Sequence, residues 1–123
     1  MNGWDMRILL AEDEAQVRAF LLRALTIMCP QAEIIPVGDG KLALEIFYSS
    51  GADLIISDHH MPQLSGMELL QTIRRTSEVP FVLISADNTV AEPAHAAGAT
   101  GFLHKPFSLT ALRQAVQYLM PAV

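Results

Sequence analysis

Four places in the chain carry side chains suited to phosphate or metal chemistry: the acidic pair Glu12-Asp13, Asp58, Ser85 and Lys105. In the stretch "SDHHMP" (57–62), Asp58 stands directly before His59 and His60. That stretch can be read as a metal site, as an acid–base pair, or as a carboxylate whose neighbouring histidines are secondary. Adjacent residues of an extended segment point opposite ways, so His59 and His60 are not expected to grip one ion together. No other histidine lies at ligand spacing, and His95 and His104 read as surface or strand residues. The carboxylates are the stronger lead. Crowded carboxylates repel, and at least one pKa should rise unless a cation intervenes. Hard oxygen ligands with room for water suit Mg²⁺. A carboxylate beside Mg²⁺ can act as the nucleophile of phosphoryl transfer, with a lysine helping to neutralise the moving group. A serine hydroxyl can then donate to the phosphoryl oxygens.

Whether these groups meet depends on the elements that carry them. Four apolar runs recur: "RILLAE" (7–12), "DLIISD" (53–58), "PFVLIS" (80–85) and "GFLHK" (101–105), with a weaker "EIIPV" (33–37) between the first two. Most are unbroken rather than alternating, which marks strands buried on both faces of a parallel sheet. Helical periodicity fills the gaps. Val17, Phe20, Leu21, Ala24, Leu25 and Met28 follow one helical stripe, and Pro30 stops it. "GDGK" (38–41) turns into a helix with Leu42, Ile46 and Phe47. Ser65 and Glu68 form a capping box before Leu69, Leu70 and Ile73. "AAGATG" (96–101) is a glycine-rich stop, and Ser108 can cap a last helix bearing Leu109, Leu112, Val116 and Leu119. Strand and helix alternate five times, which predicts a doubly wound α/β sandwich. Each candidate residue stands at the C-terminal end of a strand. Parallel strands gather those ends on one edge, where open α/β sheets bind ligands.

Composition narrows the function. The chain has 123 residues, 51% of them hydrophobic, which fits one globular domain. A net charge of −5 is a poor start for nucleic-acid binding, and the Arg74-Arg75 pair reads as a solvated helix end. No apolar run approaches the roughly 18 residues of a membrane span, and "MNGWDMR" lacks the apolar core of a secretory leader. The single cysteine, Cys29, reads as an inert thiol in a reducing, cytoplasmic setting.

The motifs "LLAEDE" (9–14), "DLIISDHHMPQLSGMELL" (53–70), "VLISA" (82–86) and "GFLHKPF" (101–107) together resemble the receiver domain of two-component response regulators, of the CheY-like kind. The resemblance spans about residues 6–120. It implies a flavodoxin-like (βα)5 fold with a five-stranded parallel sheet of order 2-1-3-4-5. It implies that Asp58 accepts a phosphoryl group from a sensor histidine kinase or phosphotransfer protein. Glu12 and Asp13 would hold Mg²⁺ with Asp58, and His60 would complete the shell through its backbone carbonyl. Ser85 fills the hydroxyl position, Lys105 pairs with the phosphoryl group before a cis bond to Pro106, and Phe102 takes the aromatic switch position. Phosphorylation would then alter the face formed by the fourth helix, fifth strand and fifth helix toward a downstream protein target. Such a module is not an enzyme beyond catalysing its own phosphorylation and dephosphorylation. His60 and Asp87 occupy positions that tune phosphate lifetime in the family.

Two departures stand out. "SADNTVAEPAHAAG" (85–98) is shorter than the usual family pattern and contains Pro93, so the fourth helix should be short, late-starting or irregular. Phe102 lacks the hydroxyl of the tyrosine common in relatives. The chain reads as a single receiver domain over 1–123 without an output domain, either free-standing or the receiver segment of a larger regulator or hybrid kinase. Two other classes compete. An Mg²⁺-dependent phosphohydrolase would want an acid at position 60, and a flavin or nucleotide binder would want a Gly/Ser/Thr-rich loop where "AEDEAQ" stands.

Overall fold

A computed structural model describes residues 6–120. The reading of the opening residues as lacking a leader, and the chain end after Met120, lie outside that range. Five strands, β1 (Met6–Ala11), β2 (Ala32–Val37), β3 (Leu54–Asp58), β4 (Phe81–Ser85) and β5 (Gly101–His104), form one sheet. Its order is β2-β1-β3-β4-β5 and every pairing is parallel. The helices are α1 (Ala15–Met28), α2 (Gly40–Ser50), α3 (Gly66–Ile73), α4 (Ala91–Ala96) and α5 (Leu109–Leu119).

The unbroken apolar runs have a direct cause. Successive strand residues face opposite sides, and both sides are covered. Ile8, Leu10, Leu54, Ile56, Val82 and Ile84 pack with Leu21 and Leu25 of α1 and Leu112 and Val116 of α5. Leu9, Ile55, Phe81 and Leu83 pack the other way, with Leu69, Leu70 and Ile73 of α3 and Ala94 of α4. The doubly wound fold is as expected from the hydrophobic pattern, and its strand order is the one that the family resemblance implies.

Local signals set the boundaries. Ser65 Oγ accepts the Glu68 amide at 3.1 Å, and Glu68 accepts the Ser65 amide at 3.0 Å, closing the capping box at α3. Asp39 accepts from the Leu42 amide at the start of α2, and Ser108 from Ala111 at the start of α5. A 3₁₀ turn over Asn88–Val90 precedes α4, which has six residues. Pro93 is the third of them, so the amide it lacks is one that a first turn leaves unbonded anyway. Gly98, at φ +105°, turns the chain out of α4 toward β5.

Three apolar readings need correction. Phe20, Leu42 and Leu109 sit in helical stripes by sequence but are exposed. A helix lying on a flat sheet buries only its inner rows, here Leu21 and Leu25 of α1, Ala43 of α2, and Leu112 and Val116 of α5. Arg74 is also not a solvated helix end. It is half-buried, with Nε donating to Gly98 O at 3.0 Å and a terminal nitrogen to Ser77 O at 3.2 Å, so it ties α3 to the turn before β5.

Candidate functional site

The site forms where the sheet reverses its winding, at the C-terminal ends of β1 and β3, with β4 and β5 completing one wall. Glu12 and Asp13 follow β1, Asp58 ends β3, Ser85 ends β4 and Lys105 follows β5. Glu12, Asp58 and Ser85 are buried, Lys105 is half-buried and Asp13 is exposed. One carboxylate oxygen from each of Glu12, Asp13 and Asp58 lies within 4.8 Å of the others. Lys105 Nζ donates to Asp58 Oδ1 at 2.7 Å and lies 3.4 Å from Glu12 Oε1. The Lys105 amide donates to Ser85 O at 2.9 Å, which carries the lysine from the end of β5 onto the end of β4.

The electrostatics are those of crowded carboxylates with one lysine among them. Burial pushes the Glu12 carboxyl above its ordinary pKa, and Asp58 adds to the rise against the Glu14 amide and Lys105. Lys105 shifts upward despite burial, because Asp58 and then Glu12 stabilise its charge. The two ends of the Lys105–Glu12 contact thus move in the same direction. The buried carboxylate loses more to desolvation than the lysine returns. Three oxygen ligands around a shared space suit a small hard cation that keeps several waters.

Behind Asp58 the backbone is packed tightly. A Cβ on Gly66 would stand 2.3 Å from Asp58 O and 2.9 Å from His59 Cα, so only glycine lets α3 approach. The Gly66 amide donates to His59 O at 2.9 Å. Gly66 was not among the residues singled out by sequence. Its signal is a glycine at the first position of a capped helix.

The remaining candidates lie outside the carboxylate cluster. Phe102 is partly buried against the α3 and α4 side of the core. It lies opposite Leu83, two residues before Ser85, so Phe102 and Ser85 project from the same face. Ser85 Oγ accepts the Asp87 amide at 3.0 Å. Asp87 is exposed, and its carboxylate is engaged by Thr89, through the amide at 2.9 Å and the hydroxyl at 2.6 Å. These bonds hold its pKa down and make Asp87 the cap of the 3₁₀ turn. His60 is exposed and His59 half-buried. Their rings do not point apart, since the centroids are 5.1 Å from each other. Strand alternation ends at Asp58, and the chain turns at once toward α3. Burial and then His60 lower the His59 pKa, and its buried Nδ1 has no hydrogen-bond partner among the described residues. The bond from Lys105 to Pro106 is cis.

A parallel doubly wound sheet with clustered carboxylates at its switch point, closed by a lysine, defines the class of CheY-like signalling receivers. Residues 8–117 match the response regulator receiver domain, and the chain belongs to that family. It is 28% identical over 123 residues to the probable chemotaxis protein CheY of Rhizobium etli, covering 96% of this chain and 95% of that one. It is 31% identical to the probable transcriptional regulator ycf27 of Porphyridium aerugineum, covering 95% of this chain and 49% of that protein. The chain thus spans about half the length of several curated relatives that it matches. Among solved structures, the receiver domain of the Pseudomonas aeruginosa sensor histidine kinase PA1611 superposes with a TM-score of 0.84 at 25% identity, covering 94% of this chain and 98% of that one. That structure carries a magnesium ion coordinated in its active-site cleft. The chain is therefore a receiver domain of two-component signalling, and its acidic cluster can hold a metal ion. No helix among the described residues is long and apolar enough to cross a membrane.

Proposed function

We propose that the chain is a phosphorylation-controlled receiver in which Asp58 is the phosphoacceptor. The observation that supports this most is the Asp58 carboxylate buried beside Glu12 and Asp13 with Lys105 on Oδ1 at 2.7 Å. An Asp58 oxygen attacks the phosphorus of a phosphohistidine. A P–O bond forms as the P–N bond breaks, and the leaving imidazole keeps the electron pair and takes up a proton. Lys105 moves from the carboxylate to the incoming phosphoryl oxygens. Glu12, Asp13, Asp58 and the His60 carbonyl would hold Mg²⁺, which when bound would neutralise charge on the transferring group.

Ser85 then donates its hydroxyl hydrogen to the phosphoryl group while its Oγ can still accept the Asp87 amide, so a shift of Oγ toward the phosphate pulls on that bond. That bond leads into the 3₁₀ turn and α4, so the phosphoryl state reaches the α4-β5-α5 face through Ser85 and Phe102. His60 and Asp87 stand at the rim and set how water reaches the phosphate. The donor is a histidine kinase or phosphotransfer protein, and the output is a change of protein partner rather than direct nucleic-acid or membrane binding. Turnover is confined to the chain's own phosphorylation and dephosphorylation, in a reducing cytoplasm.

Incubation with a small-molecule phosphodonor, followed by intact mass, tests this. One phosphoryl adduct per chain, dependent on Mg²⁺, is expected. Multiple turnover of unrelated phosphoesters without an adduct would instead indicate a phosphohydrolase. Replacing His60 by Ala should change the decay rate of the adduct, and an unaltered rate removes His60 from that role.

A further inference from the structure

Arg18 has no part in the roles above, yet it touches the loop that carries two of the three carboxylates. It projects from the first turns of α1 and is half-buried. One terminal guanidinium nitrogen donates to Glu12 O at 2.8 Å and approaches Asp13 O at 3.4 Å. Its own amide donates to Glu14 O at 2.8 Å, so the side chain folds back over the segment from which its helix starts. The Glu12 amide is bonded to Val37 O at 3.0 Å, which sets the end of β1 against the end of β2. The next residue, Gly38, leaves room for the guanidinium, because a Cβ there would lie 3.2 Å from that same nitrogen. A Cβ at position 38 would make the guanidinium give by a few tenths of an ångström.

Glu12, Asp13 and Glu14 are consecutive carboxylates, and α1 has no side-chain cap. Left alone, such a loop turns its charges apart into water. Arg18 binds the peptide carbonyls rather than the carboxylates. It therefore fixes the rotation of peptide units 12 and 13 while leaving the acidic groups free to converge on Asp58.

We propose that Arg18 is the positioning residue of the acidic loop, holding the peptide units of Glu12 and Asp13 so that their carboxylates and Asp58 bind a divalent cation more tightly. The inference rests on the cation-holding reading given above. It also makes a prediction opposite in sign to simple electrostatics. A positive charge beside a cation site repels the incoming ion, so deleting the charge alone should tighten binding. Losing the clamp should weaken it.

The test is calorimetric titration of Mg²⁺ into the wild type, Arg18→Ala and Arg18→Gln, with thermal melts in EDTA alongside. Arg18→Ala should raise the Mg²⁺ Kd about three- to tenfold, the range expected from losing the net contribution of one ordinary hydrogen bond. Arg18→Gln, which keeps a donor without the charge, should lie between Arg18→Ala and the wild type, and it carries the comparison if Arg18→Ala does not melt as a folded protein. An unchanged or lower Kd in folded variants overturns the inference even where wild-type Mg²⁺ binding and phosphoryl uptake stand. Unfolding of both variants overturns it in favour of a purely stabilising role. Failure of the wild type to bind Mg²⁺ overturns the cation site itself, and the Arg18 role with it.

Discussion

Glu12 shows how single residues here trade stability for chemistry. Its carboxylate is 1% exposed, faces Asp58, and has its pKa raised by burial. A buried carboxylate held in its charged form beside another destabilises the metal-free fold. Replacing Glu12 by Gln should therefore raise the melting temperature in EDTA and shrink the further rise that Mg²⁺ gives. A lower melting temperature in EDTA would show that the Lys105 contact outweighs the burial. At this scale the sequence was informative wherever a polar residue interrupts an apolar strand, as at Asp58, Ser85 and Lys105. It was silent on Arg18, because a basic residue on a helix surface carries no mark of the backbone it reaches. It also misjudged His59 and His60, whose rings come together because strand geometry stops one residue earlier.

The elements behave as their caps dictate. Ser65→Ala removes one half of the α3 capping box and should cost about 1 kcal/mol, read from urea melts. Its partner Glu68 is exposed, and the Ser65 amide and hydroxyl hold its pKa below the ordinary value of 4.5. The Glu68 contribution is therefore present above that ordinary value and is lost as pH falls through the lower, folded one. The stability gap between wild type and Glu68→Ala should narrow across that acid window and stay constant at neutral pH. Pro93 gives a complementary test. In a helix interior a proline costs about 3 kcal/mol, whereas in this first turn Pro93→Ala should change stability by less than about 1 kcal/mol. Helix ends and the shortened α4 were legible because Ser, Pro and Gly act locally. Which helix rows are buried was less so, since Phe20 and Leu42 share the periodicity of the core but overhang the sheet.

For the whole molecule, the central strand β3 is buried along its full length and delivers Asp58 to the sheet's switch point. Core and site are therefore one structure. Truncating Ile56 to Ala should cost about 2–5 kcal/mol through loss of burial and the cavity left behind. On the proposed reading, Mg²⁺ would be held only where the ends of β1 and β3 bring the three carboxylates together, so it should stabilise the fold as a ligand of the native state, by about 2.7 kcal/mol at a hundred times its Kd. Alternation of five strands and helices was readable from hydrophobic period alone. The strand order was not, because it depends on which side each crossover packs, and it came with the family resemblance. The convergence of residues 12, 13, 58, 85 and 105 followed once the strands were parallel.

The most direct measurement is to locate the phosphoryl group. The chain is incubated with a small phosphodonor and Mg²⁺, the acyl phosphate is reduced with borohydride, and the peptides are sequenced by tandem mass spectrometry. If Asp58 is the acceptor, the aspartate-to-homoserine conversion falls at position 58, requires Mg²⁺ and is abolished in Asp58→Asn. Conversion at another carboxylate in the wild-type chain, or an undiminished adduct in Asp58→Asn, would contradict the assignment.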